Sequence, residues 1–246
     1  MTFLAVADLE FSKDQVAIAV THGLFGSHAG IAYHSVKDGL QLLHLAWHQR
    51  LVVDSYPLAY CWIACKPEVP PLASKQLVGI VRAIAKRKPS VNYAVDAIAA
   101  KGSFDANGHY RPPKGSKGLT CATFVTEIFR AALLPLIKEE TWAAKDVNVK
   151  WANDVADRLQ RDADEVHVAA VRASINGIRV RPEEVGAAGT VPFKQRPVLY
   201  DVAFDAAPKV MTHLHQVCPI TPVAIEAPIM LTVSDSTTQN NPLPKN

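Results

Sequence analysis

Residues 27–48 contain two apolar stretches, Ser27-His-Ala-Gly-Ile-Ala-Tyr-His34 and Leu42-Leu-His-Leu-Ala-Trp-His48, joined by a turn containing Lys37-Asp38-Gly39. Both stretches read as strands, over 28–34 and 40–47. Each carries a histidine among apolar neighbours. For a single such histidine the common fate is a core imidazole bonded to a backbone carbonyl, because an unpaired buried imidazole is costly. Two on adjacent strands allow more. Side chains alternate faces, so His28, Gly30, Ala32 and His34 share one face, and Leu42, His44, Ala46 and His48 share one on the partner.

The register of this hairpin decides what the histidines can do. A two-residue Asp38-Gly39 turn sets His28 and His44 on opposite faces, and no pair forms. A five-residue loop, Ser35 to Gly39, sets His44 opposite Gly30 and diagonal to His28, with Gly30 leaving room between them. A three-residue loop sets His28 opposite His48, which then becomes the orienting group.

Downstream, Gly118-Leu-Thr-Cys-Ala-Thr-Phe-Val-Thr-Glu-Ile-Phe129 places Cys121 in the first turn of a helix. Thr120 is a good N-cap, and Phe124, Val125, Ile128, Phe129 and Ala132 recur at helical spacing. Free N–H groups and aligned peptide dipoles at a helix start favour a thiolate. Taken alone, Cys121 reads as a small buried hydrophobe. With two histidines upstream it becomes a candidate nucleophile, since a cysteine hydrolase needs a thiol, a base, an orienting group and oxyanion donors.

These segments resemble a known family. Ser-His-Ala-Gly-Ile-Ala-Tyr followed by Leu-Leu-His-Leu-Ala is similar to the hairpin of NlpC-type papain-like cysteine peptidases, and Thr-Cys-Ala-Thr-Phe-Val to their nucleophile helix. The histidines precede the cysteine, as in the circularly permuted branch, which includes the bacterial YiiX-like proteins and the lecithin:retinol acyltransferase-like enzymes. Asn92-Tyr93 resembles the tyrosine that precedes the cysteine in that branch. The likeness covers roughly residues 14–135. The chain departs from the family pattern at Ala29, at the Ala32-Tyr33 pair and at Ala122.

The resemblance implies an α+β, papain-like fold: an antiparallel sheet packed against the nucleophile helix, with additional C-terminal helices. It implies Cys121 as nucleophile with a lowered pKa, His28 as base and His44 as its orienter, with His48 the alternative third residue. Tyr93 and the Cys121 N–H would hold the oxyanion. No metal or organic cofactor is expected. The expected reaction cleaves an amide bond (peptide, isopeptide or peptidoglycan stem peptide) through a thioester. A lipid acyl hydrolase or acyltransferase is the alternative, and an inactive binding module of the same fold is a third reading. That last one predicts a thiol that alkylates no faster than ordinary cysteine.

Outside these segments the 246-residue chain, about half hydrophobic and about a fifth charged, reads as a single domain over 1–233, with a core at 14–135 and a helical extension at 136–210. The net charge of +3 is too small and too evenly spread to argue for nucleic acid, and the densest basic patch, Arg82, Lys86, Arg87 and Lys88, lacks the aromatic interleaving of a nucleic-acid binder, so no nucleic-acid partner is expected. No segment has the length of a membrane anchor, and the start lacks a basic n-region. A cytoplasmic site, or export without a cleavable signal peptide, is expected. An immunity or regulatory protein is a candidate partner. Cys61 and Cys65 read as thiols in a buried strand over 58–65, without zinc spacing, and Cys218 carries no signal.

Further strands are expected at 15–20 and 198–204, and an amphipathic helix at 74–87 capped by Ser74. Residues 101–118 read as a loop. Residues 139–175 read as helical, with Trp151, Val155, Leu159 and Val166 on one side. Residues 181–197, with three prolines, read as irregular, and the tail from about 234 as disordered.

Overall fold

The structure, a computed structural model, describes residues 3–5, 12–23, 26–55, 62–97 and 102–217. The chain runs through strands β1 (Phe3–Ala5), β2 (Val16–Gly23), β3 (Gly26–Ser35), β4 (Gly39–Trp47), β5 (Arg50–Ser55) and β6 (Ile63–Cys65). Helices α1 (Pro71–Arg87), α2 (Cys121–Ala131), α3 (Val149–Leu159), α4 (Glu165–Arg172), α5 (Pro182–Thr190) and α6 (Tyr200–Val217) follow. The class is α+β. The strands form one antiparallel sheet in the order β1-β6-β2-β3-β4-β5.

Strand alternation sorts the sheet into two unlike faces. Val16, Ile18, Val20, Ile31, Leu43, Leu45 and Ile63 enter the main core with Leu77, Val81 and Ile84 of α1 and Phe124, Val125 and Ile128 of α2. The opposite face is lined by small residues, Ala17, Ala19, Ala32 and Ala64, with Leu42 and Trp62. Full burial of each large aliphatic side chain contributes about 2 kcal/mol, so the helix-covered face dominates stability. The alanine-lined face leaves space where His28 and His44 project.

The β3–β4 register is the one a five-residue link requires: His34 opposes Leu40 and Ile31 opposes Leu43. Ser35 and Gly39 add a closing pair, with Gly39 at φ +73°. Pairing of β3 with β4 stops at Ile31 and Leu43, although both strands continue. Helix α2 packs on both strands.

Several sequence expectations need correction. Helix α1 begins at Pro71, and Ser74 is not its cap: the buried Ser74 hydroxyl donates instead to the Asp14 carbonyl. Residues 139–175 split into α3 and α4, with Asp164 capping the second by accepting from the His167 N–H at 2.7 Å. Val166 is 81 % exposed, and Val168 and Val171 turn inward in its place. Residues 181–197 are not irregular, for α5 lies there. Its Gly186 and Gly189 sit against the sheet: a Cβ on the first would meet Val20 Cγ2 at 2.8 Å, and on the second Ile18 Cδ1 at 2.5 Å. Close packing on the sheet offsets the poor helix propensity of glycine.

Residues 198–204 are not a strand. The apparent alternation belongs to α6, whose Val202 and Phe204 face outward while Ala203, Ala206 and Val210 are buried. The expected strand at 58–65 is described only from residue 62, and Cys61, Cys218 and the tail beyond 217 lie outside the described residues. Cys65 is a buried free thiol. Among the described residues, no helix is long and apolar enough to cross a membrane.

Candidate active site

Helix α2 starts where its sequence asks it to. The Thr120 hydroxyl accepts from the Thr123 N–H at 3.0 Å, and the Thr123 hydroxyl accepts from the Thr120 N–H at 2.7 Å. This reciprocal capping box fixes the first turn and Cys121 within it. Before the helix, Leu119 bridges Tyr93: the Leu119 N–H donates to Asn92 O at 2.9 Å, and the Ala94 N–H donates to Leu119 O at 3.0 Å. Gly118, at φ +128°, is needed there, since a Cβ would lie 2.1 Å from Asn92 O. Tyr93 and Cys121 are thus held side by side by backbone.

The Cys121 thiol is buried. Burial pushes its pKa up, opposed by hydrogen bonds from the Ala29 N–H, the Tyr93 hydroxyl and the Ala122 N–H and by the positive charge of Arg179. The thiol pKa is thus raised where a lowered one was expected, because desolvation outweighs these hydrogen bonds and the Arg179 charge.

His28 and His44 meet as the register requires: His28 Nε2 lies 2.9 Å from His44 Nδ1. Gly30 makes this approach feasible, since a Cβ there would stand 2.9 Å from His44 Cβ. His44 Nε2 in turn lies 3.1 Å from Asp54 Oδ2. Trp62 packs edge-on against both imidazoles, at 5.7 and 5.9 Å between ring centroids.

Proton bookkeeping along the chain of contacts follows from the carboxylate, which can only accept. His44 Nε2 donates to Asp54, so neutral His44 has a bare Nδ1. That nitrogen accepts from the Nε2–H of His28. Neutral His28 therefore has its lone pair at Nδ1, the nitrogen not used by His44. Burial lowers the His28 pKa from 6.5 to about 4. It lowers that of His44 too, with Asp54 pulling the other way. The His44 imidazole holds the Asp54 carboxyl below the usual carboxylate range.

Asp54 was missed by sequence reading, as was the strand that carries it. It pairs directly with Leu42, the residue two before His44, and so stands diagonal to His44.

His48 lies elsewhere. Its Nδ1 accepts from the Tyr93 N–H at 3.3 Å, and its ring sits 4.7 Å from that of His167. His167 Nε2 donates to the Tyr93 carbonyl at 2.9 Å. His48 is thus a support for Tyr93 and not a partner of His28. The Tyr93 ring packs against Trp47 at 4.8 Å.

Cys121, His28, His44 and Tyr93 line one cleft of about 290 Å³. The second half of the chain supplies the facing wall through Trp151, Val155 and Arg179. Sequence reading did not single out Arg179. Among the described residues no group of three or more His, Cys, Asp or Glu side chains is arranged to hold a metal ion. No protein-family model, curated protein or solved structure significantly matches this chain. The reading of the site therefore rests on its own geometry.

Proposed function

We propose that this protein is a cysteine hydrolase of papain-like type, cleaving an amide bond in a peptide, isopeptide or stem-peptide substrate through a thioester. The observation that carries the reading is the chain Asp54–His44–His28, which ends in the cleft that Cys121 lines. A core histidine has no need of a carboxylate relayed through a second histidine.

The resting pair is neutral, because burial disfavours both the imidazolium and the thiolate. As sulfur attacks the acyl carbon, its proton passes to His28 Nδ1, and the charge formed there is shared toward Asp54 through His44. The carbonyl electrons move onto oxygen. The Cys121 N–H, unclaimed by the helix, and the Tyr93 hydroxyl are the donors for that oxyanion. Collapse breaks the bond to the leaving nitrogen, which takes the proton from His28. Water then attacks the thioester, gives its proton to His28 and releases the acid, and the thiol is restored.

The test is incubation of wild type and Cys121→Ala with muropeptides, ubiquitin-like isopeptide conjugates and phospholipids, with mass-spectrometric readout. Cleavage of an amide substrate by wild type and its loss in Cys121→Ala are expected. Full activity in the variant overturns the assignment, and turnover of phospholipid alone replaces the amide by a lipid ester.

A further inference from the structure

We propose that Arg179 holds an anionic oxygen group, carboxylate or phosphate, on the molecule whose acyl carbon Cys121 attacks. This inference rests on the cysteine-hydrolase reading and names a chemical feature of its substrate.

Arg179 lines the same cleft as Cys121, Tyr93 and His28. Its guanidinium lies 3.8 Å from the centroid of the Trp151 ring, a stacking that leaves the N–H edge free to act in plane. It is half-buried, and among the described residues no acceptor stands within hydrogen-bond or ion-pair distance of it. Its fork of five N–H donors is open to the cleft and to a ligand within it.

The backbone around it is fixed from both sides. The Ile178 carbonyl accepts from the Ala97 N–H at 2.8 Å, and the Ile178 N–H donates to Asp96 at 3.2 Å. The Arg181 N–H donates to Glu184 at 2.8 Å, and the Arg181 side chain donates to Asn148. Such anchoring aims the side chain before any ligand arrives.

The other charges nearby do not neutralise it. Glu183 favours its charged form and Arg181 opposes it, each from beyond contact. On the cleft rim the exposed Asp154 pairs with Lys150 at 2.9 Å. A carboxylate or phosphate on the substrate completes Arg179 in the bidentate manner suited to its fork.

The test uses two alkylating reagents with one reactive group, iodoacetate and iodoacetamide, which differ in carrying a carboxylate or a carboxamide. Rates of Cys121 modification are read by peptide mass spectrometry for wild type, Arg179→Ala and Arg179→Lys, with circular dichroism as the check of folding. The iodoacetate-to-iodoacetamide ratio is expected to fall about tenfold in Arg179→Ala, the equivalent of 1.4 kcal/mol, and less in Arg179→Lys. Succinate or inorganic phosphate should slow iodoacetate in wild type, and the better competitor tells which anion the site takes. An equal ratio in wild type and Arg179→Ala overturns the proposal.

Because this assay needs no turnover, a failed substrate screen leaves it intact. Should the thiol resist both reagents, calorimetric titration of wild type and Arg179→Ala with succinate and with phosphate decides instead. Loss of binding in the variant supports the site, and absence of binding to wild type overturns it.

Discussion

Two histidine pairs share strand β4 and its end, yet they have different chemistry. His28 and His44 are joined edge to edge by their ring nitrogens, and the far end of the chain is the Asp54 carboxylate. His48 and His167 lie ring against ring, and their hydrogen bonds end on the backbone of Tyr93. A carboxylate can stabilise a proton taken up by the pair, whereas a peptide group only fixes position. The group that terminates the hydrogen bonds separates the candidate base from the scaffold.

The sharpest way to break this comparison is to remove one member from each pair. Against a substrate found by the screen, His28→Ala should lower kcat/KM about 10⁴-fold, the upper range for a general base. A loss of less than tenfold would place the base elsewhere. Asp54→Asn should cost about 10²-fold, because an amide can present its NH₂ to His44 and reverse the tautomers down the chain. Equal rates for Asp54→Asn and wild type would reduce the relay to a structural contact.

Acid should test the buried state of His28 as well. The unfolded chain protonates His28 near pH 6.5, but the folded protein resists until about pH 4. In that window the unfolded state binds the extra proton, so stability falls as pH drops and is flat above 6.5 on this account. The slope is about 1.4 kcal/mol per pH unit for one proton, and denaturant midpoints from pH 7 to pH 4 in wild type and His28→Gln read it. Activity should hold its plateau down to an acid limb near pH 4. An acid limb near 6.5 would mean that the working base is not buried.

The smallest effect belongs to the supporting pair. His48→Ala should lower stability by about 1 kcal/mol and change activity less than tenfold, as expected from losing one neutral hydrogen bond. A larger loss of activity than that of His44→Ala would reverse the roles assigned to the two pairs.

How much of this was legible beforehand differs by region. Strands β2 to β4 announce themselves by apolar runs, and Thr120 announces α2 by its cap. The pairing of His28 with His44 followed from one register, though only structure could choose that register. Asp54 was hidden because Arg50–Ser55 lacks a clear alternation, and the residue gains meaning only through a diagonal contact with His44. Arg179 was hidden because its tie to the cysteine runs through Ala97 and Asp96, a link no local pattern reveals. Helix α5 was misread because three prolines in 181–197 signal irregular chain, whereas Pro182 stands at the start of the helix and Pro192 and Pro197 lie beyond its end. Val202 and Phe204 misled in the opposite sense, as exposed residues that mimicked a strand.

Strand β5 is the outermost strand on its side of the sheet, and Asp54 stands on it with a side chain 55 % exposed, while the His44 side chain is 9 % exposed. The buried histidine pair is therefore wired to the sheet edge through the Asp54 carboxylate. Added salt, or a neighbouring molecule laid along that sheet edge, can act on His28 without ever entering the cavity.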